Sequence, residues 1–377
     1  MTNSCNWFDI LSPSRQRKLL ASARDGLWIA VDGKRLLNFA SNDYLALSTH
    51  PNVCAAAKKA IDKSGLGSGA SRLVSGDSPL LHELEHKLAA WKGFEACLVL
   101  GSGMLANLGL IQALADRHTH IFSDKLNHAS LVDGARLSGA KVHRYPHLDL
   151  DNLESQLQKY PADKRIMVSD GVFSMDGDKA DVSRLLKLAQ AYDALLIVDD
   201  AHGTGTVGEQ GKGLVVEAGV SGHECFLEVG TLGKAFGSYG AYVLGSSAMI
   251  EGLRQRMRTF IFSTALPESV IAGALAALDE MQITDVVKKL HNNISYFLAQ
   301  AKALPLMPSN TAIQPLLLGS DEAALQAASH LREQGYFVPA IRPPTVPEGA
   351  ARLRITLSAG HDERDIDGLI RALSNRV

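Results

Sequence analysis

Short apolar runs and amphipathic stripes alternate along most of this chain. Ala96–Leu100, 121–123, Lys141–Tyr145, 166–169, 195–198 and 225–229 read as strands. Between and before them, Pro51–Ser64, 80–91 and 183–192 carry the period of helices, and a further helix runs from the Gly101–Met104 turn through Leu114. Strands alternating with helices at this spacing predict parallel pairing with helices on both faces, an α/β sheet. Near the start, 27–31 and 35–39 flank Asp32-Gly33 and predict a β-hairpin, behind an N-terminal helical arm that ends near Gln16. After Leu266-Pro267 the character changes: helices over 268–281 and 286–303, a strand at 313–318, a helix from Asp321, then strands at 337–338 and 352–357. The expected division is an arm and hairpin (1–45), a large α/β domain (46–266) and a smaller C-terminal α+β domain (267–377).

Composition changes this picture little. A chain of 377 residues is too long for one compact core, and 46% hydrophobic with 21% charged residues is ordinary for a globular protein. A formal net charge of -2 gives no reason to expect nucleic acid or an anionic membrane as partner. Cys5, Cys54, Cys97 and Cys225 are scattered, which argues against a disulfide framework or a structural zinc site. No apolar run is long enough to span a membrane and residues 1–20 lack a signal-peptide core, so the expectation is a cytoplasmic protein.

The chemistry lies at the ends of the strands. Ser102, His128, Ser174, Asp199, His202 and Lys234 each follow a predicted strand, and ligands of open α/β sheets gather where loops leave the strands' carboxyl ends. Lys234 sits between Gly233 and Gly237 on a short loop, where a desolvated amine can attack a carbonyl. Asp199 ends an apolar strand. A lysine for the aldehyde and an aspartate for the pyridinium nitrogen form the pair that pyridoxal phosphate needs. The amides of Ser102, Gly103 and Met104 at a helix start, with Thr231, suit its phosphate. His128 suits stacking on the ring, His202 a hydrogen bond to the ring hydroxyl, and Arg354 a substrate carboxylate. The letters Gly101 to Ala106 also fit a dinucleotide fingerprint, with Asp124 downstream, but that reading leaves Lys234 and His202 without a task. Asp199, Asp200 and His202 lack further ligands at a metal-binding spacing, so no metal is expected.

Several motifs stand in order across nearly the whole chain: Asn38-Phe39-Ala40-Ser41-Asn42-Asp43-Tyr44-Leu45, Asn127-His128-Ala129-Ser130, Gly171-Val172-Phe173-Ser174-Met175-Asp176-Gly177, Asp199-Asp200-Ala201-His202-Gly203-Thr204-Gly205, Thr231-Leu232-Gly233-Lys234-Ala235-Phe236-Gly237 and Arg354-Ile355-Thr356-Leu357. With them the chain resembles the α-oxoamine synthase family of fold-type I pyridoxal phosphate enzymes. The resemblance implies a large domain with a mostly parallel, seven-stranded sheet flanked by helices, and a smaller C-terminal domain. The form of the motif at Asp199, with Gly237-Ser238-Tyr239-Gly240-Ala241, favours the biotin-pathway branch over 5-aminolevulinate synthase and glycine C-acetyltransferase; another member of the family, serine palmitoyltransferase among them, stays the alternative. That branch implies decarboxylative condensation of L-alanine with pimeloyl-CoA or a pimeloyl-acyl-carrier protein. It further implies a homodimer with shared sites, Ser263 and Thr264 reaching the phosphate of the second subunit. Substrate contacts are implied at Asn42, Ser71, Ser75 and Arg354, with Arg17 or Arg15 on the acyl group. Two departures stand out: Met104 where an aromatic is common, and His147-Leu148-Asp149 where His-Asn-Asp is usual.

Overall fold

The computed structural model describes Gln16 and residues 19–374. The chain opens with β1 (Ser22–Asp25), β2 (Trp28–Val31) and β3 (Lys34–Asn38), an antiparallel set in which β2 and β3 form the expected hairpin. Helices α1 (Pro51–Ser64) and α2 (Pro79–Lys92) lead to β4 (Ala96–Leu100) and α3 (Gly103–Leu114). Then follow β5 (His120–Asp124), α4 (Ala129–Leu137), β6 (Lys141–Tyr145), α5 (Leu150–Lys159), β7 (Arg165–Asp170), α6 (Val182–Ala191), β8 (Ala194–Asp199), the short α7 (Leu214–Glu217), β9 (Phe226–Thr231) and β10 (Ala241–Gly245).

These strands make one seven-stranded sheet in the order β4-β10-β9-β8-β7-β5-β6. Every pairing is parallel except those of β10, which runs antiparallel to both β4 and β9. The sheet is therefore mostly parallel, and β4 keeps the direction of the other five strands. Covering on both faces explains the near-continuous apolar strands: in β8, Leu196 and Val198 enter one core while Ile197 enters the other.

Beyond it come α8 (Ser247–Arg256), α9 (Arg258–Ile261), α10 (Glu268–Ile283), α11 (Val286–Gln300), β11 (Ile313–Gly319), α12 (Asp321–Glu333), β12 (Tyr336–Phe337), β13 (Ala340–Ile341), β14 (Ala351–Thr356) and α13 (Glu363–Ser374). A three-stranded sheet, β11-β14-β13, forms here. The strand expected at 337–338 does not join it. As β12 it pairs in parallel with β3, Tyr336 opposite Leu37, and so extends the N-terminal hairpin sheet. Among the described residues no helix is long and apolar enough to cross a membrane.

Candidate active site

Because β4, β5, β7, β8 and β9 share one direction, their carboxyl ends and the N-terminus of α3 meet along one edge of the sheet. A cavity of about 200 Å³ opens there. Asp199 and Thr231 are the last residues of β8 and β9, and both line it.

Lys234 follows three residues after Thr231 on a tight loop closed by hydrogen bonds from Gly237 N to Lys234 O (2.9 Å) and from Ser238 N to Leu232 O (2.9 Å). Its Nζ lies 2.7 Å from His202 Nε2. Burial lowers the amine to about 8, against the pull of Asp199 and Asp170, which favour its charge. His202 in turn has Nδ1 2.6 Å from the Tyr44 hydroxyl. Burial, then the neighbouring Lys234, hold this imidazole well below its usual range, so it is neutral. The task expected of His202 is the ring hydroxyl of the cofactor; in the structure its Nε2 touches the lysine.

Asp199 is anchored on both oxygens. Asn107 Nδ2, from α3, donates to Oδ2 at 2.6 Å and the Ala201 amide donates to Oδ1 at 3.0 Å. Asn107 also donates to Ser130 Oγ at 2.9 Å. His128 caps α4, its Nδ1 accepting from the Ser130 amide (3.2 Å) and lying 2.7 Å from Ser130 Oγ, while its own amide donates to Asp170 Oδ2 at 3.2 Å. The ring is thereby fixed at the cavity wall, and burial lowers its basicity.

Gly103 and Met104 line the cavity at the start of α3, and Ser102 caps that helix, accepting from the Leu105 amide at 3.3 Å. Thr231 Oγ1 accepts from the Gly233 amide at 3.1 Å, and Ser174 forms another part of the wall. Arg354 is buried at mid-strand in β14. Its guanidinium donates to Ser174 O (2.6 Å), Thr356 Oγ1 (3.0 Å), Asn42 Oδ1 (3.1 Å) and the Tyr44 hydroxyl (3.5 Å). Tyr44 thus links the arginine to His202, and Asn42 stands beside both. Ser71, Ser75, Ser263 and Thr264 are not in this cavity. Ser71 and Thr264 face each other in a β-bridge, Ser75 is exposed, and Ser263 and Thr264 line a separate crevice with Arg72. Arg15 and Arg17 lie outside the described residues.

Sequence reasoning missed three groups here. Asp170, at the end of β7 and opposite Asp199 in register, lines the cavity with its carboxyl pushed well above the usual range by burial and then by Asp199. Asn107 and Tyr44 hold Asp199 and His202. Asp170 left a signal in its strand-end position and Tyr44 in its place within the Asn38–Leu45 motif, though neither contact could be read from it; Asn107 left none. The rival nucleotide reading loses its acid: Asp124 is fully buried and accepts from the Leu126 and Leu148 amides (2.8 Å each), with His147 Nδ1 at 3.0 Å.

An amine of lowered basicity, an anchored carboxylate and a helix N-terminus in one cavity fit the aldehyde, ring nitrogen and phosphate of pyridoxal phosphate. The family described as aminotransferase class I and II matches residues 34–373. The 8-amino-7-oxononanoate synthase of Saccharophagus degradans is 47% identical over 365 residues, 96% of this chain and 92% of that protein. The synthase of Herminiimonas arsenicoxydans is 47% identical over 371 residues, 95% and 94% of the two chains. Among solved structures, serine palmitoyltransferase from Sphingomonas wittichii is similar with a TM-score of 0.90 at 28% identity, covering 95% of this chain and 91% of that one. The 8-amino-7-oxononanoate synthase of Francisella tularensis gives 0.78 at 32% identity, over 90% and 97%. With a family match across most of its length and relatives near half identical along almost all of theirs, the chain belongs to the class I and II aminotransferase family and, within it, to the pyridoxal phosphate-dependent 8-amino-7-oxononanoate synthases.

Proposed function

We infer that the protein condenses L-alanine with a pimeloyl thioester, giving 8-amino-7-oxononanoate, carbon dioxide and the free thiol carrier. The observation that carries this reading is the Lys234–His202–Asp199 constellation on a chain 47% identical to synthases of that name. Pyridoxal phosphate, when bound, supplies an electron sink for the charge that develops at the alanine Cα. Lys234 would hold the cofactor through its Nζ, and as a free amine it takes the Cα proton; an amine near 8 suits that work near neutral pH. Asp199 would keep the ring nitrogen protonated and His128 would cover the ring. His202, neutral and hydrogen-bonded to Tyr44, directs the lysine and the ring hydroxyl. Gly103, Met104, Ser102 and Thr231 hold the phosphate, and Ser174 the adjoining wall. Arg354, with Asn42, pairs with the substrate carboxylate until it leaves as carbon dioxide. The Cα–acyl bond forms as the thioester C–S bond breaks, the carrier leaves as a thiolate that takes a proton from solvent, and once carbon dioxide has left Lys234 returns its proton to Cα.

The working unit we propose is a homodimer. Leu66, Leu73, Val74 and Phe262 are 78%, 58%, 80% and 70% exposed. They lie on segments tied together by the Ser71–Thr264 bridge, next to the crevice that holds Ser263. A second copy covering this face accounts for the exposure and brings Ser263, Thr264, Ser71 and Ser75 toward the other subunit's cavity. Arg17 or Arg15 contacts the acyl chain. The cytoplasm is the proposed compartment, where thiols such as Cys54, Cys97 and Cys225 stay free.

Replacing Lys234 with alanine tests the reading. Alanine-dependent carbon dioxide release from pimeloyl-CoA should fall by about 10²–10⁴-fold or more, and the visible band of the purified protein should vanish. Release at the wild-type rate would overturn the assignment. Glycine and serine, offered with a panel of acyl thioesters, test the sister activities, and a preference for either over alanine would replace the substrate named here.

A further inference from the structure

Arg352 and Arg354 stand two residues apart on β14, so their side chains leave the same face. Both are buried, at 3% and 5% exposure. Arg354 already has a task in the proposed function; Arg352 has none. Its Nη1 donates to Asp176 Oδ1 at 2.6 Å and to the Met175 carbonyl at 3.3 Å, and its Nε donates to Ala350 O at 3.0 Å. Arg354 Nε takes the Ser174 carbonyl of the same turn at 2.6 Å. Two guanidinium groups from the three-stranded sheet thus grip the Ser174–Asp176 turn that follows β7 of the seven-stranded sheet.

That turn is already fastened at its far end. Ser309 Oγ and Thr311 Oγ1 both donate to Gly177 O at 3.0 Å, and a Cβ on Gly177 would fall 2.4 Å from Ile313 O. A fold needing only a link between the two sheets has one there, without the desolvation cost of a buried ion pair. The Gly177 fastening holds the far end of the turn and Arg354 holds the Ser174 carbonyl at its near end; the Arg352–Asp176 pair adds a side-chain hold between the two.

We propose that Arg352 is a positioning residue: by pairing with Asp176 it locks the Ser174 turn in register with Arg354, so that the cavity wall and the carboxylate-binding guanidinium are set as one unit. The inference rests on the reading of Arg354 given above. It makes the alanine carboxylate site dependent on a residue that need not touch the substrate.

The test uses the cofactor-loaded enzyme and the variants Arg352→Met, Arg352→Lys and Arg352→Met/Asp176→Asn. The first readout is the L-alanine concentration that half-completes the visible spectral change; the second is the affinity of the apoprotein for pyridoxal phosphate; the third is the melting temperature. Arg352→Met should weaken alanine binding about tenfold, equivalent to about 1.4 kcal/mol, and should also weaken the cofactor. Arg352→Lys should fall between, since a lysine keeps the charge but not the fork. The double variant should regain melting temperature, its carboxylate no longer unpaired, yet stay as weak for alanine as Arg352→Met. Should Arg352→Met fail to fold, the double variant and Arg352→Lys carry the same comparison. Alanine and cofactor affinities within twofold of wild type in the folded variants, or recovery of both in step with melting temperature, would overturn the proposal. If wild-type enzyme shows no spectral response to alanine, the proposed substrate falls, and the cofactor affinity of the variants still decides the role of Arg352.

Discussion

Lys234 is an amine held near the balance point between charged and neutral. Burial drives it down, Asp199 and Asp170 pull it back up, and the result is about 8. Capture of pyridoxal phosphate by the apoprotein needs the neutral amine, so its rate should rise with pH through a midpoint near 8; stopped-flow absorbance measures it. A midpoint close to that of an ordinary exposed lysine would show that the desolvated site does not exist in solution. Lys234, Asp199, Thr231 and Ser174 were legible because each stands at or just past the end of a strand, a position that sequence periodicity marks. Their supports were not. Tyr44 reaches His202 across 158 residues of sequence and Asn107 reaches Asp199 across 92, and no local spacing records contacts made only by tertiary packing. Lys92 is harder still: it stands just past the helix expected at 80–91, where nothing in the sequence marks it, yet it is wholly buried against Glu228, 3.6 Å from Asp200.

Among elements, the loop joining β9 to β10 carries the lysine, and its length decides the sheet. Residues 232–240 are too few for the crossover of a dozen or more residues that a parallel return needs, so β10 must come back antiparallel. The sequence reading saw the motif there and missed the strand. Long apolar strands and helices such as β8, α1 and α2 were legible from period alone; β13, two residues long, carries no period to read, and the strand expected at 337–338 gave no sign that its partner is β3. Within the lysine loop, Gly237 has φ of +62°, and a Cβ added there would lie 2.2 Å from Ser48 N. Gly237→Ala should therefore cost on the order of 2–3 kcal/mol, seen as a lower urea midpoint, because neither the backbone angle nor the neighbouring chain can accept it. An unchanged midpoint would mean the loop is looser than drawn.

At the scale of the whole molecule, two features set when the protein is intact. His147 lies between Asp124 (3.0 Å) and Asp178 (2.8 Å). Burial would lower its basicity, but hydrogen bonds and charge from both aspartates outweigh it and raise the imidazole to about 10. A raised folded value means stability that is fully present below about pH 6.5 and is lost as pH climbs through about 10. Melting temperature should fall over that window, and His147→Gln should flatten the fall. A wild-type curve equally flat would remove the charge from His147. The departure at His147-Leu148-Asp149 therefore leaves the ion pair in place. The exposed face around Phe262 makes the second prediction: Phe262→Glu should shift the protein to monomer in sedimentation and weaken cofactor retention together. Loss of neither would place the shared site elsewhere.

The helix that follows β4 has one more consequence. Gly103, proposed to hold the cofactor phosphate, and Asn107, which grips the Asp199 carboxylate, are four residues apart on α3, about 6 Å of rise along one rigid rod. That rod works as a gauge. With the phosphate at Gly103 and the ring nitrogen at Asp199, as proposed, an analogue whose phosphate arm is one carbon longer should lose contact at one end and bind more weakly than pyridoxal phosphate; equal affinity would show that the two ends are not set by this helix.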